Sequence, residues 1–242
     1  MILILLGLLS RVSAGEAKAA VASNFIVPFQ KLVNVFKAET NHDVIIISGS
    51  TGKLYALISH GAPYDLFFAA DSRRPRLLEE MDKIIHGKRL AYAEGRLVFW
   101  SQESINYNEQ GIPKILSETH RMVIANPELA PYGQAAKLTM TALDIWQEQS
   151  KKLIRGENVN QALHYIKSGN VRSGFVGLSQ IMELNDEMRK RENLWITPEN
   201  FYEPIIQEAV LLSDNPVAEQ FYNFVSSMRS QKIIKEYGYK IP

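Results

Sequence analysis

Apolar and polar positions along the chain alternate between two patterns. Short apolar runs rich in β-branched residues read as strands, and between them apolar residues recur at i, i+3, i+4 and i+7, the spacing of one helical face. Glu16 to Ala22 predicts a first short strand ending at Ser23-Asn24, after which Phe29, Leu32, Val33 and Phe36 mark a helical stripe with Pro28 tolerated in its first turn. Asn41, His42 and Asp43 form a polar turn, Val44-Ile45-Ile46-Ile47 reads as a buried strand, and Leu54 to Ile58 opens the next helix. Gly61 to Asp71 is a turn followed by a third buried strand, bracketed by Asp65 and Asp71 in structural roles. Arg74 to Gly87 predicts a helix, and Leu97 to Trp100 carries the chain across to a second lobe.

The alternation continues there. Met122 to Ala125 is a strand, Gln134 to Gln149 a helix with Leu138, Leu143 and Trp146 on one side, and Val159, Leu163 and Ile166 belong to a helix closed by Gly169. Ser173 to Leu178 reads as a strand and Gln180 to Glu192 as a charged helix. Ile205 to Leu212 recrosses to the first lobe, and helices over Pro216–Met228 and Gln231–Tyr237 close the chain. This order implies an α/β protein with a mostly parallel sheet in each lobe and ligand sites outside the carboxyl ends of strands.

Strand gives way to helix through a small, polar turn at Ser23-Asn24, at Ser48 to Leu54, at Asn126 to Gly133 and at Gly156 to Val159. Such turns leave backbone N–H groups and hydroxyls beyond the helix N-terminus, where the macrodipole favours negative charge. Taken singly, Ser50 or Thr51 could be no more than an N-cap. Recurrence at four junctions favours an anion site. Lys53, in a first helical turn, is expected to extend into solvent.

Composition narrows the chemistry. The 242 residues, 46% hydrophobic and 22% charged, suffice for a substantial core in one large or two modest domains. Formal net charge is +1, from 27 basic and 26 acidic side chains with no long block of one sign, so neither nucleic acid nor an anionic membrane is an expected partner. Cysteine is absent, which excludes disulfides, thiolate metal sites and a cysteine nucleophile. The five histidines form no pair at i, i+3 or i, i+4, and the junctions hold no paired carboxylates, so neither a metal cation nor enzymatic chemistry is expected. Met1 to Leu9 is too short to span a bilayer but fits the apolar core of a signal peptide, with small residues Val12-Ser13-Ala14 following. The basic segment that usually precedes such a core is missing, which leaves a truncated start or an ordinary buried strand as alternatives. On the first reading, residues 1–14 are a leader.

Ala22-Ser23-Asn24, Ser50-Thr51-Gly52-Lys53-Leu54, Gly61 to Phe67 with Ala70-Asp71, Asn126-Pro127 with Pro131-Tyr132-Gly133, and Gly174-Phe175-Val176 occur in that order. Together with the tail Ile234 to Tyr239, they resemble the molybdate-binding proteins of bacterial ABC importers. The resemblance runs from about Ala19 to Gly238 and implies a two-lobed periplasmic-binding-protein fold of type II with two crossover strands, its lobes comprising residues 15–95 plus 206–242 and residues 96–205. It also implies a periplasmic monomer that closes on molybdate or tungstate without a cofactor and serves an inner-membrane ABC permease. Hydroxyl ligands carry over to Ser23 and Thr51, with Ser50 adjacent, backbone donors to Tyr132 and Val159, and an amide to Asn24. Certain members place a tyrosine hydroxyl where this chain has Gly177, and Tyr132 is the candidate substitute. A receptor for sulfate or another tetrahedral oxyanion is the alternative, and an enzyme on the same fold the remote one.

Overall fold

The computed structural model describes residues 14–104 and 111–242, so the expected leader lies, apart from Ala14, outside the described residues. The chain begins with β1 (Glu16–Ala22), α1 (Ile26–Thr40), β2 (Asp43–Gly49), α2 (Thr51–Ser59), β3 (Leu66–Phe68), α3 (Arg73–Glu80) and β4 (Arg89–Gly95). It then enters β5 (Leu97–Ser101), α4 (Ile112–Glu118), β6 (Met122–Ala125), α5 (Pro131–Ala142), α6 (Trp146–Gln149), β7 (Ile154–Gly156), α7 (Val159–Lys167), β8 (Ser173–Gly177), α8 (Leu178–Met182) and β9 (Leu194–Ile196). β10 (Ile205–Leu211), α9 (Pro216–Val225) and α10 (Met228–Glu236) complete it.

The strands form two five-stranded sheets, β2-β1-β3-β10-β4 and β7-β6-β8-β5-β9. In the first, β1 pairs in parallel with β2 and β3, whereas β10 runs antiparallel to both β3 and β4. In the second, β6 is parallel to β7 and β8, and β5 is antiparallel to β8 and β9. One strand of each sheet is therefore reversed, and it is the strand by which the chain arrives from the other sheet. This is the α/β two-lobed architecture with mostly parallel strands and two crossovers.

Burial follows from this arrangement. Helices cover both faces of the first sheet, and Ala19 to Ala22 of β1 are all buried. Phe29, Phe36 and Phe68 pack around Phe221 of α9 at ring-centroid distances of 5.2, 5.1 and 6.2 Å, tying the C-terminal helix to the sheet. The second sheet has its own core, centred on Phe99, Trp100, Val123, Ile124, Phe175 and Val176.

Several expected elements are revised. The run Val44 to Ile47 is a strand, but at the sheet edge, and Ile45 is 41% exposed. The helix expected to reach Gly87 ends at Glu80, followed by Asp82 in a left-handed conformation (φ 53°). The helix expected from Gln134 to Gln149 begins at Pro131 and breaks where Asp144 takes φ 57°. The charged helix expected to Glu192 stops at Met182, and the Asn185 side chain accepts a hydrogen bond from the Met188 N–H (2.9 Å), a local side-chain-to-backbone bond that competes with continued helix. β4, β7 and β9 have no counterpart in the apolar runs, because two are three residues long and β4, at a sheet edge, mixes charged and small residues.

Phe221→Ala is expected to reduce unfolding free energy by about 3–5 kcal/mol in urea titration, since that ring joins α9 to α1 and β3.

Candidate functional site

Each of the four strand-to-helix junctions brings at least one buried residue to a helix beginning: Ser23 and Asn24, Ser50 and Thr51, Tyr132, and Val159. After β1, Ser23 and Asn24 begin a 3-10 turn (Ser23–Phe25) that runs into α1, and they are 5% and 4% exposed. After β2, the Ser50 hydroxyl caps α2 by accepting from the Lys53 N–H, and the Thr51 hydroxyl accepts from the Ala70 N–H at 3.1 Å. After β6, Pro131 opens α5, where its missing N–H costs nothing, and Tyr132 follows. After β7, the Asn158 side chain caps α7 by accepting from the Gln161 N–H at 3.0 Å, and Val159 is the first helical residue.

All four turns meet. Ser23, Asn24, Ser50, Thr51, Tyr132 and Val159 line one small cavity together with Ala22, Ala70, Ala130, Pro131 and Asn158. About 10 Å³ of it is open to the centre of a water molecule, room on the scale of one such molecule. None of these side chains carries charge at neutral pH. Burial raises the Tyr132 phenol well above the ordinary tyrosine value, so it stays protonated.

The polarity of the cavity is set by what its groups already bond. The Ser50 and Thr51 hydroxyl oxygens accept from backbone N–H groups, and the Tyr132 hydroxyl accepts from Gln207 Nε2 at 3.3 Å. Each retains a hydrogen to give. The Ser23 hydroxyl has no protein partner among the described residues. Both hydrogens of the Asn24 amide are engaged, with Gln207 Oε1 (2.9 Å) and the Tyr239 hydroxyl (3.0 Å), so Asn24 can offer the cavity its backbone N–H. The N–H groups of Thr51, Tyr132 and Val159 stand in first helical turns, without an acceptor among the described residues.

The halves of the site come from different sheets and touch directly. The Gly52 N–H bonds the Leu129 carbonyl at 2.8 Å, and Arg74, paired with Asp71, reaches the Glu128 carbonyl at 3.0 Å. Lys53 does not simply extend into solvent. Its ammonium pairs with Glu157 at 3.2 Å across the cleft, 55% exposed, outside the cavity. Asp65 accepts from the Lys18 N–H (2.7 Å) and from the Ser213 hydroxyl (2.6 Å), the structural role expected of it.

Gly177 and Tyr132 are linked. A Cβ at 177 would lie 3.1 Å from Tyr132 Cε1, so the Tyr132 ring occupies the space that a side chain from β8 would need. Gln207, Tyr92 and Tyr239, which surround the site from behind, were not apparent from the junction motifs. The available signal was the pair Gln207-Glu208 interrupting the apolar run Ile205 to Leu211, of which the structure buries Gln207 fully.

A family profile described as bacterial extracellular solute-binding protein matches residues 17–240. The chain belongs to this family. Among its relatives, the molybdate-binding protein ModA of Azotobacter vinelandii is 36% identical over 229 residues, spanning 93% of this chain and 90% of the relative. The protein of the same description from Rhodobacter capsulatus is 33% identical, with 98% and 92% covered. The solved periplasmic molybdate-binding protein of Azotobacter vinelandii superimposes with a TM-score of 0.86 at 35% identity, covering 93% of this chain and 99% of that one.

A Cβ at position 95 would clash with the Tyr132 hydroxyl and lie 2.7 Å from Gln207 Nε2. Gly95→Ala is therefore expected to lower stability by about 1–3 kcal/mol in urea titration, and an unchanged midpoint would show that the Tyr132–Gln207 contact is not tightly packed.

Proposed function

We propose that the chain is a receptor that captures molybdate between its two lobes and delivers it to an ABC importer. The observation that carries this reading is the donor-only cavity at four helix beginnings. Molybdate is a proton-free dianion at neutral pH, so it requires donors and no acceptor. Hydroxyls, backbone N–H groups and helix N-termini meet that requirement without a counter-charge, each charge-assisted hydrogen bond contributing roughly 1.5–3 kcal/mol before dehydration and closure costs. The names of the two relatives at 36% and 33% identity support the same ligand.

In this reading Ser23, Ser50 and Thr51 donate from hydroxyls, Tyr132 from both its phenol and its backbone, and Asn24 and Val159 from the backbone. Residues 15–95 plus 206–242 form one lobe and residues 96–205 the other. Residues 1–14 direct export to the periplasm, where the closed monomer meets inner-membrane permease subunits. Tungstate, nearly the size of molybdate, binds as well. Hydrogen phosphate is disfavoured because its proton faces N–H groups that cannot accept and draws a hydroxyl such as that of Ser23 away from donating, at a cost of about 1–3 kcal/mol. Sulfate, smaller and also proton-free, is excluded only by cavity radius. The family and the relatives are binding proteins, which sets the enzyme alternative aside.

Isothermal calorimetry tests the assignment. Molybdate is expected to saturate the protein at micromolar concentrations, and Ser23→Ala with Thr51→Ala to weaken it at least about 100-fold, the loss of two charge-assisted bonds. No heat at millimolar molybdate, with saturation by sulfate or phosphate, would overturn it.

A further inference from the structure

α2 holds a glycine that its own backbone does not require. Gly52 is the second residue of that helix, is buried, and has no left-handed φ. At such a position alanine favours helix more than glycine does. What the missing side chain provides is room for the other lobe. A Cβ at 52 would lie 3.0 Å from the Leu129 carbonyl oxygen, 3.1 Å from Leu129 Cα and 3.0 Å from Arg74 Nη2. With no Cβ there, the Gly52 N–H, which a helix beginning leaves without an acceptor of its own, meets the Leu129 carbonyl at 2.8 Å.

The turn that receives it, 126–130 between β6 and α5, is tied internally. The Leu129 and Ala130 N–H groups bond the Asn126 carbonyl at 3.1 and 2.9 Å, and the Glu128 N–H bonds Asn126 Oδ1 at 3.1 Å. Its donors are spent inside the turn, while the Glu128 and Leu129 carbonyls accept from the first lobe. Arg74 Nη2 gives to the Glu128 carbonyl at 3.0 Å, and Asp71 holds that guanidinium in place, the two side chains being only 15% and 19% exposed. Two adjacent carbonyls of one lobe thus take two donors of the other. Three internal bonds resist a local shift of this turn, so a side chain at 52 is accommodated by separating the lobes.

We propose that Gly52 is a positioning residue for anion capture: its bare α-carbon lets α2 reach turn 126–130, and this backbone contact sets how completely the lobes close over the ion. The inference rests on the molybdate reading and deepens it. The cavity takes its lining from both lobes and has room on the scale of one water molecule, so a tetrahedral oxyanion enters only with the lobes apart. The measured affinity then contains the equilibrium between open and closed forms, and whatever opposes closure weakens binding without touching the ion. Neighbours at the start of α2 divide the work. Thr51 lines the cavity, whereas Gly52 does not and gives its N–H to the other lobe.

The experiment is molybdate calorimetry on the full chain with Gly52→Ala, Gly52→Leu, Thr51→Ala and the pair Gly52→Ala with Thr51→Ala, alongside urea unfolding of each protein without anion. Gly52→Ala is expected to weaken binding roughly tenfold, the scale of one overpacked contact, and Gly52→Leu by a further factor of about ten. Neither is expected to lower the anion-free urea midpoint, because alanine and leucine suit the helix once the lobes part. Loss of affinity with stability kept or raised is a signature that a merely structural role does not produce. Because closure is separate from contact with the ion, Gly52→Ala is expected to cost the same factor in the Thr51→Ala background as in the wild type, an additivity unusual for adjacent residues. Unchanged affinity in Gly52→Ala and Gly52→Leu, a loss that disappears in the Thr51→Ala background, or a loss matched by a lowered urea midpoint would overturn this inference while the wild type still binds molybdate. A wild type that does not bind molybdate would overturn the functional reading, and this inference with it.

Discussion

A buried hydroxyl can give one hydrogen and accept others, and at Ser50, Thr51 and Tyr132 one accepting position is already taken by a protein N–H. That constraint leaves each hydroxyl with its hydrogen still to give. With the N–H of Lys53 and the N–H of Ala70 bonded to Ser50 and Thr51, those two hydroxyls keep their hydrogens at a cavity that no lysine or arginine lines. A cationic side chain would attract any anion, whereas fixed neutral donors favour an ion that brings no proton of its own.

The fold exists to bring these donors together. Each helix beginning is placed by the strand before it, and the two sheets supply two junctions each, so no lobe alone encloses the cavity. Charged residues serve the rim: Lys53 pairs with Glu157 and Arg74 reaches the Glu128 carbonyl across the cleft, contacts that hold the lobes in register rather than touch the cavity. Exposed pairs of this kind contribute little energy individually. The Tyr132 ring of α5 packs into the space beside Gly177 of β8.

Much of this was readable before any coordinates. The alternation of strands and helices and the four small-residue junctions follow from local sequence, whereas Ser23, Asn24, Thr51, Tyr132 and Val159 are assigned at those junctions by the resemblance to molybdate-binding proteins, with Ser50 adjacent. Elements set by tertiary context were not. The helix ends at Glu80 and Met182, the break at Asp144 and the three-residue strands β7 and β9 depend on pairing and turn geometry that periodicity does not report. Lys53 looked solvated because its partner lies 104 residues away on the other lobe. Gln207 was hidden for a similar reason, since a glutamine in an apolar strand reveals that it is satisfied but not by what.

The most direct measurement is a crystal structure of the complex with the molybdenum located by its anomalous signal. The donor-only account predicts a single peak within the cavity, its four oxygens at hydrogen-bonding distance from Ser23, Thr51, the Tyr132 N–H and the Val159 N–H and no charged side chain in contact. A peak lying instead against Lys53 or Arg74 at the rim of the cleft would contradict it.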